Sequence, residues 1–173
     1  MMWRGAVCVL LAASGTAQAE PFVYRGQQLT LAGTAQACYL RFVDLFDAEY
    51  FRNTDGSVRC VRLRYHRDFD RDTLYAGTLK AMRELYGEEQ LRKDAPLLQQ
   101  LNEAYRGVDD GDSYQLCVRR ERGGELLRDG QVGARFVDIG FAERVFGIWL
   151  DDKDPLSPRW RLPRCFGDDR GAS

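Results

Sequence analysis

Cys38, Cys60, Cys117 and Cys165, together with the single histidine His66, are the residues of this chain whose types could do covalent or metal chemistry. No two of these cysteines have the two-to-four-residue spacing of a zinc knuckle, and His66 has no obvious ligand companion, so the pattern argues against a metal site. An even set of four reads instead as two disulfides, with three connectivities open. His66 would need a nucleophile to serve as a catalytic base, and the chain contains no Gly-x-Ser-x-Gly elbow to supply one. No phosphate-cradling glycine motif is present either; Gly123-Gly124 fits a hairpin turn. The carboxylate pairs Asp109-Asp110 and Asp151-Asp152 are adjacent in sequence, so their side chains face different ways and read as solvated loop residues rather than an acid-base couple.

The chemistry has to be placed in a compartment. Arg4, the apolar run from Gly5 to Ala13 and the small-x-small triplet Ala17-Gln18-Ala19 have the form of a secretory signal peptide over residues 1–19, cleaved before Glu20. Cys8 lies inside the apolar run, without the context of a lipid-attachment site. An exported chain makes disulfides the natural state of the remaining cysteines. No later segment is apolar enough to cross a bilayer as a helix, and about 150 mature residues suffice for one domain with a real core. The formal net charge is −1, from 25 basic and 26 acidic side chains, which lacks the one-sided electrostatics of a nucleic-acid binder.

The elements follow from periodicity. Phe22 to Leu31 alternates around Gly26 as an opening strand or hairpin, Ala37 to Tyr50 reads as one long strand, and Asp55-Gly56 turns the chain. Val58 to His66 alternates, with Val61, Leu63 and Tyr65 facing inward and Cys60, Arg62 and Arg64 outward. Asp70 or Asp72 caps a helix carrying Leu74, Thr78, Met82 and Leu85 and stopping at Gly87. A second helix is expected from Asp94, with Pro96 in its first turn and Gly107 at its end. Ser113 to Arg120 and Leu126 to Val137 form a hairpin region, Asp129-Gly130 being a type I′ turn signal. Ile139 to Leu150 reads as the third main helix, and Ser157-Pro158 as the start of a last short helix ending near Cys165. A polar tail, 167–173, closes the chain. Cys60 and Cys117 both lie opposite their strands' apolar sets; if those strands are antiparallel neighbours the two are cross-strand partners, leaving Cys38 for Cys165. This order of elements gives an α+β fold, an antiparallel sheet with helices layered on one face.

The stretch from Asp129 to Lys153, with Asp-Gly-Gln-Val-Gly-Ala-Arg-Phe at its start and Phe-Gly-Ile-Trp-Leu-Asp-Asp-Lys at its end, resembles the bacterial chalcone-isomerase-like proteins. Leu63-Arg64-Tyr65-His66-Arg67-Asp68 is similar to the stretch before that family's first long helix. The resemblance implies an open-faced β-sandwich over residues 20–166, with a ligand cleft between sheet and helices. It also implies where catalysis would lie. The family's catalytic Arg corresponds to a position at or near Ala37, and its Tyr and Asn, seven residues apart, to positions close to Leu74 and Ala81, so none of the three is restored.

The expectation is therefore an exported, non-catalytic protein without a cofactor, binding a small apolar or fatty-acid-like molecule. Strand alternation from Ala37 would carry Tyr39, Arg41 and Val43 to one side, making Tyr39 and Arg41, with Tyr65, the candidate ligand-binding residues. Two alternatives remain: an intramolecular lyase with replaced catalytic residues, and a cell-envelope interaction module docking through Phe146 and Trp149.

Overall fold

The structure, a computed structural model, describes residues 22–153 and 158–165. The expected signal peptide and polar tail lie outside them. Seven strands form one antiparallel sheet in sequence order: β1 (Phe22–Tyr24), β2 (Gln27–Tyr39), β3 (Val43–Arg52), β4 (Val58–Tyr65), β5 (Ser113–Arg119), β6 (Gly123–Arg128) and β7 (Gln131–Phe136). Between β4 and β5 the chain crosses the inner face as α1 (Arg71–Ala104); α2 (Ile139–Phe146) covers β5 to β7, and the two-residue strands β8 (Leu150–Asp151) and β9 (Arg159–Trp160) pair with each other. This is the expected α+β architecture.

Alternation decides which face is which. Ala48 and Tyr50 of β3, Val61 and Leu63 of β4, and Leu116 and Val118 of β5 pack under the helices with Met82, Leu101, Phe141 and Phe146. On the reverse face Phe51, Cys60, Cys117 and Leu127 form a second, smaller core. Tyr24 and Leu29 from β1 and β2 belong to that second core, so the curled sheet folds its first hairpin over its own outer face. Cys60 and Cys117 are register partners on β4 and β5 and form one disulfide, with Cα atoms 4.1 Å apart; Cys38 and Cys165 form the other.

Several expectations change. The long strand from Ala37 to Tyr50 is two strands, because the chain reverses at 40–42 with Leu40 and Arg41 at φ +49° and +69°. The helix break at Gly87, φ +78°, is as expected, but the second helical half begins directly after it rather than at Asp94. Pro96 thus sits inside a helix, on an exposed turn where the Arg92 carbonyl that loses its partner can face solvent. Asp94 is no cap. It is buried and held by both Nε and Nη2 of Arg144, tying α1 to α2.

The third helix ends at Phe146, so the Ile148-Trp149-Leu150 stretch turns back toward a strand instead of continuing helical. The last short helix is replaced by β9 and an extended run to Cys165. Phe146 is fully buried and Trp149 half-buried, which removes the pair as an exposed docking face. Gly124 explains how α2 comes so close to the sheet: a Cβ there would stand 2.8 Å from that of Ala142.

Candidate functional site

Residues with inward faces leave a gap where the sheet and the first half of α1 diverge. Leu45, Phe46, Leu63 and Tyr65 supply the sheet wall, Leu74, Gly77, Thr78 and Ala81 the helix wall, and Ile148, Trp149, Leu162 and Pro163 the closing side. The cavity, open to solvent on one side, measures about 670 Å³, in the range of small-molecule sites. A shallower depression of about 520 Å³, lined by Tyr39, Leu45, Arg67, Asp68 and Phe69, shares three residues with it and continues its mouth.

The closing side depends on the covalent frame. Cys165 is bonded to Cys38 at the end of β2, Cys38 N–H donates to the Pro163 carbonyl at 3.0 Å, and Ala37 bridges to Arg164. Arg161 N–H donates to the Trp149 carbonyl. The extended run 161–165 therefore becomes a wall of the cavity because the disulfide and these backbone bonds pin it to the sheet edge.

Tyr65 and Tyr105 line the cavity, and the buried Tyr114 behind them makes edge-on contact with both rings. Tyr114 Oη accepts from the Arg106 N–H at 2.7 Å and donates to its carbonyl. Thr78 Oγ1 donates to the Leu74 carbonyl, which leaves the Tyr105 hydroxyl to donate to Thr78 at 2.9 Å. Burial pushes the Tyr105 phenol up to about 12. Tyr65 is different. It lines the cavity at 6% exposure, burial followed by the neighbouring Tyr105 and Tyr114 pushes its phenol strongly up, and its hydroxyl makes no hydrogen bond among the described residues. It is a neutral donor at any ordinary pH. A polar group in the cavity would find in this hydroxyl a hydrogen-bond donor.

The charged groups of the wall are at its rim: Lys80 and Glu84 on α1, both exposed, and Arg161, which pairs with Asp151 at 2.9 Å. Of the sequence-based site residues, Tyr39 and Tyr65 line the cavity and Arg41 does not. The expectation that Arg41 shares an inward strand face with Tyr39 is corrected: it occupies the β2–β3 turn, two residues beyond Tyr39 and exposed. Lys80, Arg161, Leu162 and Pro163 were not anticipated. The spacing of Thr73, Gly77, Ala81 and Glu84, three to four residues apart on one helix face, was the available signal for the α1 wall.

Leu74 and Ala81, where the resemblance places a catalytic Tyr and Asn, both line the cavity. Ala37 is buried and pairs with Phe46. His66 lies outside the wall, its Nε2 3.0 Å from Asp47 Oδ2. Among the described residues, one cluster of potential metal ligands brings together Cys38, Asp44 and Cys165, but its two sulfurs are joined in a disulfide and offer no thiolate.

No family model matches the chain, and no curated protein matches it in sequence. Among solved structures it is similar to a fatty-acid binding protein of Arabidopsis thaliana, with a TM-score of 0.56 at 8% identity, over 70% of this chain and 79% of that one. At that identity the likeness is one of fold, and the fold is the chalcone-isomerase-like one, a curled antiparallel sheet of seven strands with the two halves of α1 and α2 packed on it.

Proposed function

We propose that this chain is an exported, non-catalytic chalcone-isomerase-like protein that holds one fatty-acid-like molecule between sheet and α1. The observation that carries the reading is a largely apolar cavity of about 670 Å³ between sheet and helix, with Tyr65 in its wall making no hydrogen bond to a described residue. An amphiphile would place its apolar chain against Leu45, Phe46, Leu74, Ile148 and Leu162. A polar group inside the cavity would bond Tyr65, while a headgroup at the mouth would meet Lys80, Arg161 and the entrance residues Tyr39 and Arg41. The similar fold of a fatty-acid binding protein supports this ligand class. Export rests on the signal-like residues 1–19 and fits the two disulfides, each spanning a long stretch of chain. Residues 20–166 make up the domain in this reading, and 167–173 a tail outside it.

The non-catalytic part rests on the apolar Leu74 and Ala81 in the wall, since a site that stabilises a developing phenolate needs pre-organised donors there. Displacement of a fluorescent fatty acid by palmitate tests the reading. Tyr65→Phe should weaken palmitate roughly threefold to tenfold, the worth of one hydrogen bond, and Lys80→Ala should weaken it further. No displacement by the wild-type protein would remove the proposal, and brisk chalcone isomerisation in a parallel assay would restore the lyase alternative.

A further inference from the structure

The β2–β3 turn holds apolar side chains on an exposed tip. Leu40 and Arg41 occupy left-handed backbone, φ +49° and +69°, which disfavours a leucine and would suit glycine or asparagine. Yet the turn carries Leu40 at 69% and Phe42 at 74% exposure, with Tyr39 at 60% at its base. Leu40 belongs to neither apolar core. Strained positions bearing solvent-facing apolar groups are found where the surface has work to do. The same Tyr39 is part of the cavity wall, so this tip stands at the rim of the cavity mouth. The Cys38–Cys165 disulfide, directly before Tyr39, fixes the base of the tip.

We infer that the Tyr39–Phe42 tip inserts into a phospholipid bilayer surface and sets the cavity mouth against it, so that the ligand passes between bilayer and cavity; this rests on the ligand reading above. The order of side chains fits the boundary between headgroups and acyl chains. Leu40 and Phe42 are the more exposed apolar groups of the tip, while the Tyr39 phenol, an apolar body with a polar end, suits the headgroup level. The size of the patch separates this from a protein partner. Three such side chains offer roughly 400 Å², about half of what one side of a stable protein interface buries, whereas insertion into lipid needs no complementary surface. The rim charges are mixed, Arg67 and Lys80 against Asp68 and Glu84, so attachment is driven by apolar insertion and should respond little to salt.

Flotation of the full chain with phosphatidylcholine vesicles, at low and high salt, tests the inference. Leu40→Gly and Leu40→Asn suit the left-handed backbone and leave the cavity wall intact. Both should fold as the wild type and keep its affinity for soluble palmitate, while vesicle partition falls roughly tenfold or more, as expected for losing four buried carbons. Palmitate transfer from vesicles to protein should slow in parallel. Wild-type protein that does not float, or variants that float as well as wild type, would overturn the inference. Partition abolished by salt would point to charge attraction and also overturn it. Absence of palmitate binding in a wild-type protein that floats would defeat the ligand reading and leave bilayer attachment standing.

Discussion

Leu74 and Ala81 stand seven residues apart on α1, and both face the cavity. Gly77 lies between them on the same wall, and a Cβ there would meet nothing within 4 Å. Replacing a mid-helix glycine by leucine stabilises a helix by about 0.5–1 kcal/mol, yet this side chain would occupy ligand space. Gly77→Leu should therefore raise Tm slightly and weaken fatty-acid binding at least tenfold, measured by thermal denaturation and by displacement titration on the same preparation. Unchanged binding would mean that the ligand lies elsewhere.

Breaking the Asp94–Arg144 pair should unfold more than a surface ion pair would. Asp94 is buried, and both ends of the Arg144 guanidinium bind it at 2.8 and 2.5 Å. Removing one partner strands the other charge, so Arg144→Ala should lose about 3–5 kcal/mol in urea denaturation. The double replacement of Asp94 and Arg144 by Leu and Met should recover much of that loss.

Acid should act first on the outer face. Glu125 is 2% exposed and accepts from Tyr24, Arg25 and Arg135. Burial draws its carboxyl upward, but these three donors outweigh burial and hold it at about 2, against an ordinary 4.5. The folded state therefore binds fewer protons, and the stabilisation is complete above pH 4.5 and lost as pH falls toward 2. Its size is on the order of 3 kcal/mol. Stability curves for Glu125→Gln should lie below the wild type at neutral pH and converge with it across that window; parallel curves would assign the acid sensitivity to another group.

The two disulfides should differ in their effect on binding. Cys60–Cys117 staples β4 to β5 beneath the outer core, whereas Cys38–Cys165 holds the run that closes the cavity. Removing either should cost about 2–4 kcal/mol of stability. Only Cys38→Ser with Cys165→Ser should also speed ligand release at temperatures where both variants remain folded, as stopped-flow displacement would detect.

The centre of the sheet was legible because β4 keeps a period of two, Val61, Leu63 and Tyr65 inward and Cys60 and Arg62 outward, and because Asp129-Gly130, at φ +48° and +79°, marks the last hairpin. That alternation placed Tyr65 in the cavity and paired Cys60 with Cys117. The β2–β3 turn was hidden because Leu40 and Arg41 carry no turn chemistry, and with it went the orientation of Arg41. Pro96 concealed the start of the second helical half, since a proline nine residues beyond Gly87 imitates a first-turn residue. The wall formed by Arg161, Leu162 and Pro163 was illegible for another reason: tertiary constraints, a disulfide and a few backbone bonds, extend a segment whose local pattern suggests a helix.

Native mass spectrometry of the protein purified without detergent from its native source addresses the central claim most directly. The account predicts one bound molecule per chain with the mass of a fatty-acid-like amphiphile, retained by the wild type and missing from Gly77→Leu. A wild-type chain that is consistently empty, and that stays empty after incubation with palmitate, would contradict it.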